Sequence, residues 1–252
     1  KNRLKDVSIR WYQSGTYPLQ SLNYTYNELI SAEKDALIFT DANWTLFASY
    51  LLQYGKGLFN DKKVIFSALM LTPFSMNELT EELGIPEFKD ADPEFYKSKT
   101  PTMTFANEMK KRIEHIAKYT KRPIYISVST NEAVKNLLKD HLYGEGLLMR
   151  YSSKPYDNLA VMRRNFENTY LLDYLYETFY PETLTDVCLD LKGVKMLSIY
   201  YVPAFKSLLQ FYKESGDVTH YDKLYSLLES IVKRADYYSD EVRERYLKSI
   251  NF

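Results

Sequence analysis

The chain has 252 residues, 45% of them hydrophobic, which is enough to bury one large core or two modest ones and excludes a disordered protein. Lys plus Arg number 33 and Asp plus Glu 33, so no net field draws in nucleic acid or an anionic membrane. The one cysteine, Cys188, excludes an internal disulfide and a zinc site of several thiolates; between Val187 and Leu189 it reads as a small buried hydrophobe.

The N-terminus, Lys1 to Asp6, has no signal-peptide pattern. The longest mostly apolar run, Val64 to Leu71, is far short of the roughly 20 residues that a membrane helix needs. Compact β-rich runs, each bounded by polar or turn residues, predict strands at Ala36 to Thr40, Val64 to Met70, Ile124 to Ser129 and Leu147 to Tyr151. Helical spacing fills the gaps: Trp44 to Tyr54; Ser75 to Leu83, opened by a Ser75/Glu78 capping box; and Asn131 to Leu142. The cleanest stripe is Phe105, Met109, Ile113, Ile116 and Ala117, opposite Lys110, Lys111 and Glu114. Between Gly84 and Pro101, Pro86 and Pro93 break any helix and predict a surface excursion.

Strands that alternate with helices favour parallel pairing, because a parallel return needs a long crossover. Residues 1–151 therefore predict an α/β domain with a small, mainly parallel sheet of three to four strands flanked by helices. Residues 152–252 predict an all-helical tail. Its first stripe is Met162, Phe166, Tyr170, Tyr174 and Phe179, ending at Pro181. Phe205, Leu208, Leu209 and Tyr212 form a second, Gly216 and Asp217 a turn, and Tyr221, Leu224, Leu228, Ile231 and Val232 a third. A last helix spans Asp240 to Ile250. The hairpin from Ala204 to Arg234 resembles a single tetratricopeptide-type repeat, and one repeat cannot bury its own face, so a helical cap on the sheet domain is the competing reading.

No phosphate loop or dinucleotide fingerprint occurs, since Gly55 and Gly57 follow a helix and not a strand. His115, His141 and His220 stand far apart with no metal-binding spacing, so neither cofactor nor metal is expected. Open α/β sheets bind ligands at the carboxyl ends of their strands, which singles out the turn Thr40, Asp41, Ala42, Asn43, Trp44 and Thr45 after the first strand, with Asp41 as its functional residue, and Ser129, Thr130 and Asn131 after the third. The competing role for Asp41, Asn43 and Asn131 is to cap the helices that follow. The 24 tyrosines cluster at Tyr170, Tyr174, Tyr176 and Tyr180 and at Tyr200, Tyr201, Tyr237 and Tyr238. Such clusters suit a sugar, peptide or partner surface, or the half-buried seams between helices.

Several phrases together carry a resemblance. They are Tyr26 to Ile30 (YNELI), Asp35 to Asp41 (DALIFTD), a helix ending in LLQYGKG, DKKVIFSALML, Arg122 to Ser127 (RPIYIS) and Glu145 to Tyr151 (EGLLMRY). In this order the chain resembles the soluble C-terminal region of bacterial polytopic membrane proteins related to protein O-mannosyltransferases. The resemblance spans nearly the whole chain, with one departure: relatives carry a Gly-Asp-Asn-Asp type of turn after the first strand, where this chain has Asp41, Ala42, Asn43 and Trp44. It implies that glycosyl-transfer chemistry belongs to a membrane-embedded part upstream. This chain would then be a non-catalytic module on the periplasmic side of the inner membrane that positions a protein or glycan acceptor. Glu145 and Arg150, in the last phrase, join the strand-end residues as ligand-binding candidates. Two other readings stand beside it: an independent α/β enzyme using Asp41 with His141 or Glu145, and a helical-repeat interaction module.

Overall fold

The computed structural model describes residues 2–89, 101–176, 197–235 and 239–250. Cys188, Pro93, the Phe179 to Pro181 end of the first tail stripe, Tyr237 and Tyr238 lie outside the described residues.

A five-stranded sheet forms the centre: β1 (Leu37–Thr40), β2 (Lys63–Phe66), β3 (Ile124–Ser127), β4 (Leu142–Gly144) and β5 (Leu148–Tyr151), in the order β2-β1-β3-β5-β4. β1 pairs in parallel with β2 and β3, as expected from the crossovers, whereas β5 runs antiparallel to both β3 and β4. The sheet is thus mixed and one strand larger than expected. The extra strand, β4, is only three residues long and begins at Leu142, the last residue of the run expected to be helical from Asn131. Gly146, at φ 125°, allows the tight return from β4 into β5. The expected strand from Val64 to Met70 stops at Phe66; Ser67 donates its hydroxyl to the Thr40 carbonyl at 3.2 Å and the chain turns into α4 (Ser67–Met70).

Both faces of the sheet are covered, which explains why β1 and β3 read as unbroken apolar runs. On one face, Leu37, Phe39, Ile124 and Ile126 meet α5 (Pro73–Leu83), α6 (Pro101–Tyr119) and α7 (Glu132–Leu138), with Met109, Ile113 and Ile116 supplying the α6 stripe. Helix α5 opens two residues before the expected capping box: Thr72 accepts from the Ser75 amide at 3.3 Å and Pro73 takes the first turn. On the other face, Ile38, Tyr125 and Leu148 meet α2 (Leu19–Ser31) and α3 (Asn43–Tyr50).

Helices α1 (Asn2–Ser14) and α2 fill a region for which no element was expected. The buried stripe of α2 contains Ser21, Tyr24, Thr25 and Glu28, a polar set that a search for apolar periodicity passes over. Helix α1 packs on the π-helical turn Leu51–Gly55, where a Cβ built on Gly55 would stand 2.5 Å from the Tyr12 Cβ. Gly55→Ala is therefore expected to push α1 off the body and cost about 1 to 3 kcal/mol, seen as a lower melting temperature and faster tryptic cutting at Arg3, Lys5 and Arg10. Unchanged digestion of that segment would contradict the packing.

In the tail, α8 (Asn158–Arg164) leads to an antiparallel pair, α9 (Val202–Ser215) and α10 (Val218–Arg234), followed by α11 (Asp240–Ile250). Gly216 ends α9 at φ 73°, and the Asp217 carboxylate caps α10 through the His220 amide at 3.2 Å. The tail core, built on Phe205, Leu208, Leu209, Leu224, Leu228 and Ile231, also takes in Tyr24 of α2 and Leu147 beside β5. Asn27 ties the two regions: its amide nitrogen donates to the Leu171 carbonyl at 2.8 Å and to the Tyr201 hydroxyl at 2.7 Å, and its oxygen accepts from the Leu171 amide at 2.8 Å.

Candidate functional site at the carboxyl edge of the sheet

Along the face beneath α2, side chains alternate with period two, so Ile38 and Tyr125 are followed at the strand ends by Thr40 and Ser127. The surface thus changes from hydrocarbon to hydroxyl within one residue pair. Ser127 donates to Glu28 Oε1 at 2.5 Å, Ser127 and Ser129 share a bond of 2.8 Å, and Ser129 reaches the Thr40 hydroxyl at 3.4 Å. Glu28 has no solvent exposure. Burial drives its pKa up to about 8, and hydroxyls of Ser127, Thr45 and Tyr24 offset only part of that rise. At neutral pH this carboxyl is mostly protonated, so it can donate as well as accept.

The sequence-predicted residues fall around this core in different roles. Asp41 does not cap α3; the residue preceding that helix is Ala42, without a side-chain cap, and Asn43 is exposed on its first turn. Instead, Asp41 Oδ2 accepts from the Asn131 amide at 2.7 Å, stapling the β1–α3 turn to the β3–α7 turn. Thr40 is consumed locally, its hydroxyl accepting from the Ala42 amide at 3.1 Å. Asn131 does cap its helix, accepting from the Ala133 amide at 2.8 Å. Thr40, Asp41, Ser129 and Asn131 therefore come together at one edge, as the strand-end argument requires.

Glu145 sits in the β4–β5 turn at the same end of the sheet, where it accepts from the Tyr156 hydroxyl at 2.5 Å and its pKa is raised by burial. Arg150 points elsewhere: it pairs with Glu33 and lies over the Tyr156 ring, 5.6 Å from its centroid. His141 precedes Leu142, whose partner is Tyr151, which puts it at the amino-terminal edge, away from Asp41. The pairing of Asp41 with His141 suggested for an enzyme is thus excluded by the register of the β4–β5 hairpin.

Trp44 and Thr45 belong to the turn that the sequence singled out after the first strand, whereas sequence reasoning missed Glu28, Ser127 and Tyr24 as site residues. A carboxylate at the i+4 position from Tyr24 and i+3 from Thr25, all on one helical stripe, was the available signal. Within this region Tyr24 OH, Glu28 Oε2, Asp41 Oδ1, Trp44 Nε1 and Thr45 Oγ1 are buried and make no hydrogen bond of good geometry. Tyr200 overhangs from the tail: its ring stands 6.1 Å from that of Tyr24, and burial together with the charges of Glu28 and Glu132 raises its pKa. The edge is therefore a set of buried hydroxyl, indole and carboxyl groups, with a carboxyl that burial favours in its protonated form. Among the described residues no three His, Cys, Asp or Glu side chains converge as metal ligands. Comparison with protein families, with curated proteins and with solved structures finds no match to this chain.

Proposed function

We propose that the chain is a non-catalytic, extracytoplasmic recognition module of a membrane glycosyltransferase-like protein, positioning a protein or glycan acceptor. The observation that carries the proposal is the buried polar edge, where Glu28 Oε2, Trp44 Nε1 and Thr45 Oγ1 make no hydrogen bond of good geometry and the Tyr200 ring of the tail stands 6.1 Å from that of Tyr24. The order of phrases from YNELI to EGLLMRY supports the membrane context, and a single tetratricopeptide-type hairpin at α9 and α10 belongs to the same proposal. No described helix is long and apolar enough to cross a membrane.

The reading frame upstream of Lys1 is expected to encode a series of apolar spans of about 20 residues each. In the full protein, Trp44→Phe and Thr45→Val, which remove one donor each, should raise the acceptor KM about tenfold and leave kcat unchanged. A signal peptide directly before Lys1, or a fall in kcat at unchanged KM, would overturn the proposal. An α/β enzyme acting through Asp41 gains one supporting observation, that Asp41 Oδ1 is buried and not used in helix capping. That alternative requires the isolated chain to turn over a small molecule.

A further inference from the structure

The opposite, amino-terminal edge of the sheet holds an open cleft of about 360 Å³, at the start of β3 and the end of β5. Its lining carries three cations, Lys121, Arg122 and Arg150, and one carboxylate, Glu33. Glu33 is already paired with Arg150, so the charge of Lys121 and Arg122 is left uncompensated within the cleft. The chain as a whole is neutral, which makes this local excess a feature of the fold and not of composition.

Two of the cations are held in place. Arg122 donates through Nε to the Asp35 carbonyl at 2.6 Å and through Nη2 to the Ala36 carbonyl at 3.5 Å, which orients the guanidinium and leaves Nη1 available. Arg150 is fixed from two sides, by the Glu33 carboxylate and by the Tyr156 ring. Lys121 is exposed and, among the described residues, forms no ion pair. Preorganised guanidinium edges beside a mobile ammonium are the chemistry that recognises a tetrahedral, doubly charged oxyanion, since the forks set direction and the lysine supplies a point charge. A monocarboxylate would use only half of the uncompensated charge.

We infer that this cleft binds a phosphomonoester group, borne by a soluble phosphate ester or by a lipid headgroup that ends in a phosphomonoester. The site is on the other edge of the sheet from the Glu28 cluster and does not depend on the proposal made for that cluster. The full chain would be titrated by heteronuclear NMR or calorimetry with inorganic phosphate and with glycerol 3-phosphate, against acetate at matched ionic strength. In parallel it would be sedimented with vesicles containing phosphatidic acid, whose headgroup is a phosphomonoester, and with phosphatidylcholine vesicles. Saturable binding of the phosphates, at least about tenfold tighter than acetate, is expected for a soluble ester; binding to the phosphatidic acid vesicles alone assigns the headgroup. Lys121→Ala should weaken either by about fivefold and Lys121→Glu should abolish it, with melting temperatures unchanged because the side chain is exposed. Binding that survives Lys121→Glu, or the absence of saturable binding in both arms, overturns the assignment. Arg122→Lys, which keeps the charge and loses the fork, provides an independent check and should weaken binding at an unaltered fold.

Discussion

Replacing Glu28 by Gln is expected to make the protein more stable than the unaltered chain at pH 8 and above, and to flatten its stability between about pH 4.5 and 8. The carboxyl is fully buried and its pKa rises from 4.5 to about 8. The folded state therefore holds a proton that the unfolded chain releases. Stability from this group is fully present below the unfolded pKa and is lost as pH climbs through the folded value, on the order of 3 to 5 kcal/mol in total. Glutamine mimics the protonated form, keeps an oxygen to accept from Ser127 and cannot ionise. Urea unfolding at intervals from pH 5 to 9 would show the two curves diverging as pH rises. Parallel curves would mean that Glu28 is already ionised in the fold.

Arg112→Met is expected to carry the other large effect. Arg112 and Glu108 are each 1% exposed, one helical turn apart on α6, and joined by a salt bridge. The guanidinium also donates to the Met70 carbonyl at 3.0 Å and lies 4.8 Å from the centre of the Phe88 ring, so it links α4, α6 and the segment after α5. Removing it leaves a buried carboxylate with Lys111 as its remaining partner and strips the Met70 carbonyl of its donor. A loss of about 3 to 5 kcal/mol follows, or a melting temperature lower by on the order of 10 °C. Adding Glu108→Gln should recover part of the loss, because the unpaired charge goes with it. A change within about 1 kcal/mol for the single variant would show that the pair is solvated and that α6 is held by its apolar stripe alone.

Much of the architecture is legible in the residues. The runs at Ala36 to Thr40 and Ile124 to Ser129 are apolar at consecutive positions because both faces of a parallel strand are covered, and the structure buries every residue of β1 and β3. The α6 stripe and the turn at Gly216 and Asp217 were equally plain, since each is a local pattern of spacing or backbone freedom. Helix α2 was not legible by the same rule. Its inner face is Ser21, Tyr24, Thr25 and Glu28, which looks like an exposed face until the strand-end hydroxyls are placed against it.

The antiparallel β4–β5 hairpin was hidden for another reason: a three-residue strand has no period to detect, and only Gly144 and Gly146 marked the turn. The candidate site was half visible. Thr40, Asp41, Ser129 and Asn131 were marked by their position after strands, and they do gather at one edge. Whether Asp41 would cap its own helix or staple a neighbouring turn could not be decided from order along the chain, because both roles ask for the same short carboxylate.

The sequence by itself determined the α/β class, the parallel core strands and the helical tail, because burial imposes a period on each element that survives without its neighbours. Only the tertiary structure decided which polar groups meet: that Glu28 lies against Ser127, 99 positions away, and that Lys121 and Arg122 share a cleft with Arg150. Charge state and ligand capacity depend on these distant encounters and on loss of water, and neither is encoded in local spacing.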